Sequence, residues 1–219
     1  MIGDYLIRKE LGKEYGNNSS CFVGKKEGKK YCLKIIELKR EEKKKQVERE
    51  IKILSKLKSH RNIVQLTEYF DLDENKICLV TEKMEMNLAE YIERMGERLS
   101  EDLSRKISYQ ILSALNFCHQ NKVIHNDLKA ENVLIDSNKL DIQLIDFGFA
   151  NLCDSIEEMS CLVEFQGTLL YISPEKYSFE KYDGIKSDLW SFGVLVYRMV
   201  FGEFPFGNFA KTMKDINNL

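Results

Sequence analysis

The spacing of hydrophobic residues separates the chain into a part with strand-like patterns and a part with helical patterns. Short runs in which apolar residues alternate with polar ones predict β-strands, and a hairpin is expected around KKEGKK at 25–30. Between 41 and 59, Val47, Ile51 and Leu54 recur at the spacing of one helix face. The predicted strands cover 5–11, Cys21–Val23, Tyr31–Ile36, Ile63–Phe70 and Ile77–Thr81.

The later part of the chain has a mainly helical pattern. Ser100 is suited to cap a helix N-terminus because its hydroxyl can accept a backbone hydrogen bond, and Ile107 and Ile111 then recur on one face. The sequence therefore predicts an α+β fold, with a small β-rich part at 1–84 and a mainly helical part at 85–219.

Composition excludes several classes of protein. Of the 219 residues, 43% are apolar and 31% are charged, and a net charge of -2 argues against broad binding to nucleic acids or membrane surfaces. The six cysteines stand singly, without the spacing of a zinc site, which favours buried thiols in a reducing compartment. The N-terminus lacks a signal-peptide pattern, and no apolar stretch is uninterrupted enough to span a membrane. We therefore expect an intracellular protein, in the cytoplasm or nucleus.

The stretch 123–148, VIHNDLKAENVLIDSNKLDIQLIDFG, combines polar side chains with two apolar runs. Asp127 lies in a polar turn, Asn132 comes just before one apolar run, and Asp146 closes the other. Both runs are expected to form short strands, each with an oxygen ligand at its edge. Mg²⁺ prefers such oxygen ligands, with its remaining positions filled by phosphate and water. These residues therefore predict a site for magnesium and phosphate.

This stretch resembles the catalytic segments of eukaryotic protein kinases, which read H-R-D-L-x-x-x-N followed by D-F-G. The chain has HNDLKAEN at 125–132 and DFG at 146–148. The resemblance implies a bilobal protein-kinase-like fold. The β-rich part would be the N-lobe, the helical part an incomplete C-lobe, and nucleotide would be held between the lobes. It also implies ATP and Mg²⁺ as cofactors, with Asn132 and Asp146 as the metal ligands.

The resemblance also implies which residues carry the chemistry. Asp127 would orient the substrate hydroxyl as a general base, and Lys129 would steady the transferred phosphoryl charge. Farther on, GTLLYISPE at 167–175 resembles the family segment G-T-x-x-Y-x-(A/S)-P-E. This match implies that Thr168 contacts Asp127 and Lys129, and that serine or threonine is the acceptor.

A further set of residues is implied to bind the nucleotide. Lys34 matches the lysine of the family's V-A-I-K strand and Glu50 its helix partner, and their ion pair would aim Lys34 at the α- and β-phosphates. Thr81 would be the gatekeeper, while the Glu82 carbonyl and the Met84 amide would bind adenine. The complete set consists of Leu11, Gly12, Gly16, Asn17, Ser19, Lys34, Glu50, Thr81, Glu82, Met84 and Leu134.

The glycine-rich loop departs from the family pattern G-x-G-x-x-G-x-V, which falls on 12–19. Glu14 and Asn17 replace two of the three glycines, and Gly16 is displaced by one position. Glycine is favoured there because a Cβ would keep the backbone away from phosphate oxygens, and Glu14 adds a repulsive charge unless it points to water. We expect either a weakened ATP site or a longer loop that returns through Cys21–Val23.

In the family, a phosphorylated residue of the activation loop pairs with an arginine, and this pair is the phosphate switch. Both of its residues are replaced in this chain. Asn126 stands where the family has an arginine that pairs with the phosphate, and asparagine cannot form a bidentate charged contact. The usual phosphorylated position, counted back from Gly167, is Glu164. We therefore expect activity that does not need phosphorylation of the activation loop.

The C-terminal part of the sequence is short for the family. DLWSFG at 188–193 matches the start of the large central helix, which is apolar nearly all round up to Phe201 and is expected to be buried. The family domain continues through further helices after this one. We therefore expect either a reduced domain or a protein partner that covers the central helix.

The main hypothesis is a serine/threonine protein kinase of the calmodulin-dependent or AMP-activated kinase-like branch, acting on a protein substrate. The alternative is a pseudokinase that works as a binding module, which the altered glycine loop, Asn126 and the short C-lobe favour. A small-molecule phosphotransferase is disfavoured, since the segment at 167–175 serves protein substrates in the family. The enzyme is favoured over a scaffold by the complete set of Lys34, Glu50, Asp127, Asn132 and Asp146.

Overall fold

The computed structural model describes residues 1–14, 19–178 and 181–207. These residues form two compact units. The first unit contains Met1–Lys58 and Val64–Met84, and the second contains Ser59–Ile63 together with the described residues from Glu85 onward.

The first unit contains an antiparallel sheet. Its strands are β1 (Leu6–Glu14), β2 (Ser19–Lys26), β3 (Lys29–Glu37), β4 (Leu66–Asp73) and β5 (Lys76–Glu82). Within the described residues they form one five-stranded sheet in the order β1-β2-β3-β5-β4. The predicted hairpin is confirmed, since β2 and β3 pair as far as Lys26 and Lys29. Its turn contains Gly28 with a φ of +84°, a conformation that glycine adopts without steric cost.

The helix predicted over 41–59 is present as α1 (Glu41–Lys56) and ends earlier than expected. Its apolar face lies on the sheet, where Val47 joins one buried cluster with Ile36, Ile77 and Leu79. This packing buries the stripe that the periodicity predicted, and it leaves the charged residues of α1 exposed except Lys43 and Glu50.

All five strands of this sheet have limits different from the predicted ones, and the differences in β1 and β4 are the most informative. The first continues to Glu14, so that a paired strand leads into the altered glycine loop. The strand expected to start at Ile63 starts at Leu66. Ile63 is instead fully buried in the second unit, where it forms a bridge with Leu144. This contact joins positions far apart in sequence, and so the local pattern could not indicate it.

The second unit is mainly helical, as predicted, and also contains short strands. Ser100 caps α3 (Glu101–Gln120) by accepting a hydrogen bond from the Leu103 amide, which confirms the predicted start. The two apolar runs of the catalytic stretch form the predicted strands, β8 (Val133–Asp136) and β9 (Asp141–Leu144), which pair with each other, and β8 also pairs with β6 (Met86–Asn87). The elements are β6 (Met86–Asn87), α2 (Leu88–Arg94), α3 (Glu101–Gln120), β7 (Val123–Ile124), β8 (Val133–Asp136), β9 (Asp141–Leu144), β10 (Asn151–Leu152), α4 (Ile156–Met159) and α5 (Gly184–Phe201).

The helix α5 is buried on one face rather than all round. Val194, Leu195 and Met199 are buried, whereas Leu189 and Phe201 are exposed. The prediction that this helix is surrounded by protein is therefore wrong for the described residues. Among these residues, no helix combines the length and the hydrophobicity that crossing a lipid bilayer requires.

Candidate functional site

The loop after β7 is held by a buried aspartate of α5. One carboxylate oxygen of Asp188 accepts the amide hydrogen of His125 and the other accepts that of Asn126, both at 2.9 Å. His119 contacts the same carboxylate at 2.9 Å. Burial by itself raises the pKa of Asp188, but the hydrogen bonds and charge of His119 outweigh it and hold the pKa below its ordinary value. An ionised Asp188 therefore fixes the backbone directly before Asp127.

Asp127 lies at the centre of a hydrogen-bonded triangle in the second unit. Its Oδ1 accepts a hydrogen bond of 2.7 Å from the hydroxyl of Thr168, and its Oδ2 lies 2.8 Å from the ammonium of Lys129. The Lys129 ammonium also donates to the Thr168 hydroxyl, at 2.8 Å. The contacts expected for Thr168 are thus present. They keep a carboxylate that is only 3% exposed in one orientation, next to a cation.

The two expected metal ligands lie at the edges of β8 and β9. Asn132 donates through its amide nitrogen to the backbone oxygen and to Oδ2 of Asp127, at 2.8 and 2.9 Å. Both bonds use the nitrogen, so the amide oxygen keeps its capacity to bind a cation. Asp146 has a φ of +61°, and its neighbour Phe147 is buried edge-on against His125. The left-handed conformation of Asp146 is one that few residues other than glycine adopt, and asparagine and aspartate are the commonest of them.

The first unit contains the ion pair that the kinase resemblance implied. Lys34 lies on β3 and Glu50 on α1, and the lysine Nζ lies 3.8 Å from a carboxylate oxygen of Glu50. Glu50 is 5% exposed. Because a buried carboxylate is costly to leave unpaired, the ion pair with Glu50 holds Lys34 of β3 against α1.

The other residues expected to bind nucleotide are distributed over several elements. Leu11 and Gly12 lie on β1, and Gly12 pairs with Cys21. Ser19 opens β2 and is buried, so the strand returns before Cys21, at the first described residue after the loop. Gly16 and Asn17 lie outside the described residues. Of the remaining residues, Thr81 and Glu82 end β5, Met84 follows them in the first unit, and Leu134 lies on β8 in the second.

Sequence reasoning assigned no role to several buried polar residues of the second unit. Lys176 is 3% exposed and donates to the side-chain oxygen of Asn126 at 3.1 Å. Tyr182, also buried, lies under the same lysine. In sequence Lys176 stands beside Glu175 and near Lys181, a pattern typical of surface charge. Asp188 belonged to a recognised motif, but its contact with the catalytic loop required the fold.

Comparison with known proteins decides the family. The family model described as the protein kinase domain matches residues 5–219 of this chain. The chain belongs to the protein kinase domain family. The predicted protein kinase fold is therefore confirmed, and members of this family use ATP and Mg²⁺.

Several curated proteins are similar to this kinase domain. It is 39% identical over 208 residues to the probable serine/threonine-protein kinase MARK-B of Dictyostelium discoideum, covering 93% of this chain and 28% of that protein. It is 34% identical over 208 residues to the human NUAK family SNF1-like kinase 1, covering 94% of this chain and 31% of that protein. It is 37% identical over 150 residues to the zebrafish serine/threonine-protein kinase pim-2, covering 67% of this chain and 46% of that protein.

These relatives also bear on the branch of the family. They support the assignment of this chain to the serine/threonine kinases of the AMP-activated-kinase-related branch. This is one of the two branches that the sequence suggested. The chain spans only about three-tenths of the length of the first two relatives.

Proposed function

We propose that this kinase domain transfers the γ-phosphoryl group of ATP to serine or threonine hydroxyls of protein substrates. The observation that carries the proposal is the triangle of Asp127, Lys129 and Thr168, in which each member contacts the other two. A base, a cation and a hydroxyl in mutual contact are what phosphoryl transfer to an alcohol needs, because this reaction depends chiefly on positioning and on charge stabilisation.

In this proposal each member of the triangle has one task. Asp127 orients the acceptor hydroxyl and takes its proton as the new O–P bond forms. Lys129 neutralises the negative charge on the transferred group. Thr168 keeps the carboxylate and the ammonium at fixed positions, which also favours serine or threonine over tyrosine as the acceptor.

The proposed metal ligands are Asn132 and Asp146. An amide oxygen and a carboxylate are hard oxygen donors, and this donor set fits Mg²⁺. When bound, the ion supplies positive charge at the phosphates. Hydrogen bonds from Asn132 to Asp127 then link metal binding to the orientation of the base.

For the nucleotide we propose that Lys34, held by Glu50, binds the α- and β-phosphates. The rest of the proposed ATP site consists of Leu11, Gly12, Gly16, Asn17, Ser19, Thr81, Glu82, Met84 and Leu134. We also propose that 1–219 is one kinase domain, with an N-lobe at 1–84 and a C-lobe at 85–219, and that it acts inside the cell. The protein partner expected on α5 stays a prediction.

The test is phosphotransfer from Mg-ATP by the purified chain to peptides that differ only in a serine, threonine or tyrosine acceptor. Asp127→Asn and Asp146→Asn are the controls. We expect turnover on serine and threonine, and a loss of about 10²- to 10⁴-fold in the Asp127 variant. Turnover of the unaltered chain no higher than that of the controls would contradict the proposal and favour the pseudokinase.

A further inference from the structure

Lys176 forms a bridge between two segments of the second unit. It lies in a 3₁₀ turn, Pro174–Ser178, and its side chain points inward, 3% exposed. The ammonium donates hydrogen bonds to Oδ1 of Asn126 at 3.1 Å and to the backbone oxygen of Gln166 at 3.2 Å. One of these acceptors belongs to the catalytic loop, and the other precedes Thr168 by two residues.

A buried ammonium needs compensation, and its surroundings provide it. Burial lowers the pKa of Lys176, while the carboxylates of Asp188, Asp127 and Glu175 attract its charge. The ring of Tyr182 lies beneath the ammonium, with its centroid 4.9 Å away, in the geometry of a cation–π contact. The ammonium is therefore stabilised from several sides. A solvated surface lysine would not have these contacts.

The residues around Lys176 form further hydrogen bonds to these two segments and to the segment at 149–151. The hydroxyl of Tyr182 donates to the backbone oxygen of Glu164 at 2.9 Å. Asn126 donates from its amide nitrogen to the backbone oxygen of Phe149 at 3.2 Å and to Oδ1 of Asn151 at 2.5 Å. Asn126 thus presents its oxygen to Lys176 because its nitrogen is engaged elsewhere. The backbone oxygens at 164 and 166 are both tied to this buried cluster.

The cluster lies where the family's phosphate switch would act. Asn126 replaces the arginine that would bind a phosphate, and Glu164 replaces the residue that would carry it. We propose that Lys176 is a positioning residue, an internal cation that ties Gln166 to Asn126 and so holds Thr168 against Asp127 without a phosphate. The kinetic part of this inference rests on the proposed kinase function. The structural part does not.

The test compares the full chain with Lys176→Met, which keeps an unbranched side chain one atom shorter than lysine and removes the ammonium. Lys181→Met is the matched control, since Lys181 is an exposed lysine of the same region. Amide hydrogen exchange is followed in peptides that cover 162–170. We expect exchange there to rise by about tenfold or more in Lys176→Met, because local opening becomes easier, and to stay unchanged in the control.

Steady-state kinetics provide the second measurement. We expect kcat to fall about tenfold in Lys176→Met while KM for ATP stays within about twofold, because the base and its partners are displaced. Lys176→Gln retains a donor for only part of the bridge, and we expect its exchange and its kcat to lie between those of the other two proteins. It also serves as the test variant if Lys176→Met does not fold.

Unchanged exchange at 162–170 in the Lys176 variants would overturn the inference. So would an equal rise in exchange along the whole chain, which would indicate a general loss of stability. If the unaltered chain has no turnover, the proposed function fails, and the exchange measurement alone then decides the role of Lys176.

Discussion

The hydroxyl of Thr168 donates a 2.7 Å hydrogen bond to the carboxylate of Asp127, 41 residues away in sequence. Lys129 closes the triangle by contacting both side chains. The position of the proposed base is thus set by the segment that follows the activation loop as well as by its own loop. Catalysis should therefore respond to changes on either side of this contact.

Replacing Thr168 tests the triangle directly. Thr168→Ala removes the hydroxyl that both Asp127 and Lys129 use, whereas Thr168→Ser keeps it. We expect kcat to fall at least tenfold in the alanine variant, since hydrogen bonds to charged groups contribute about 1.5 to 3 kcal/mol each, and to fall much less in the serine variant. Equal kcat values in the two variants would show that the hydroxyl has no part in positioning.

The ion pair of the first unit can be tested with a matched pair of glutamates on α1. Glu50 is buried against Lys34, whereas Glu48 is exposed on the same helix. We expect Glu50→Gln to raise KM for ATP about tenfold, because Lys34 loses the charge that orients it. Glu48→Gln should leave KM unchanged. If both variants behave alike, the pair does not orient Lys34 toward phosphate.

Activity is expected to be independent of phosphorylation in the activation loop. Ser155 caps α4 by accepting from the Glu158 amide, and the hydroxyl of Ser160 bonds to the backbone oxygen of Ile156. Both hydroxyls thus have local structural partners. Phosphatase treatment, or Ser155→Ala combined with Ser160→Ala, should leave turnover unchanged. A large drop in turnover after phosphatase treatment would mean that a phosphate has a role.

Gly167 packs against the catalytic loop in a way that excludes a side chain. Its φ is +119°, and a Cβ there would lie 2.8 Å from the backbone oxygen of Asn126. Gly96 also has a positive φ, +85°, but has open space around it. We expect Gly96→Ala to cost about 1 kcal/mol of stability for the backbone alone. Gly167→Ala should cost more and should also lower kcat, as urea unfolding and kinetics would show. Similar unfolding free energies for the two variants would contradict this account.

The lowered pKa of Lys176 should make the stability of the folded chain depend on pH. Burial lowers its pKa in the folded chain, so between that pKa and the ordinary lysine value the unfolded chain binds more protons. Stability then rises with pH over this interval. We expect the unaltered chain to gain stability relative to Lys176→Met as pH rises toward the ordinary pKa of lysine, because methionine does not titrate. Urea midpoints at several pH values measure the difference. A difference that does not change with pH would show that folding does not lower the pKa of Lys176.

Much of this kinase domain follows from short stretches of sequence. Asp127, Lys129 and Asn132 lie within six positions of one another, so their spacing alone places them in one loop. The strand hairpin is determined in the same way, because a glycine turn joins two alternating runs at Gly28. In each case the interacting groups are close in sequence, and so local preferences and periodicity suffice to predict the arrangement.

Tertiary structure alone decided which charges are buried and what they contact. Lys176 contacts Asn126 across 50 residues of sequence, and Asp188 contacts Asn126 across 62. At such sequence separations no local pattern relates one residue to the other. The sequence determined that the residues of the phosphate switch are absent, since that depends on identity alone. Only the packing of the chain showed that Lys176 is buried and hydrogen-bonded to Asn126, because burial and long-range hydrogen bonds arise when distant segments come together.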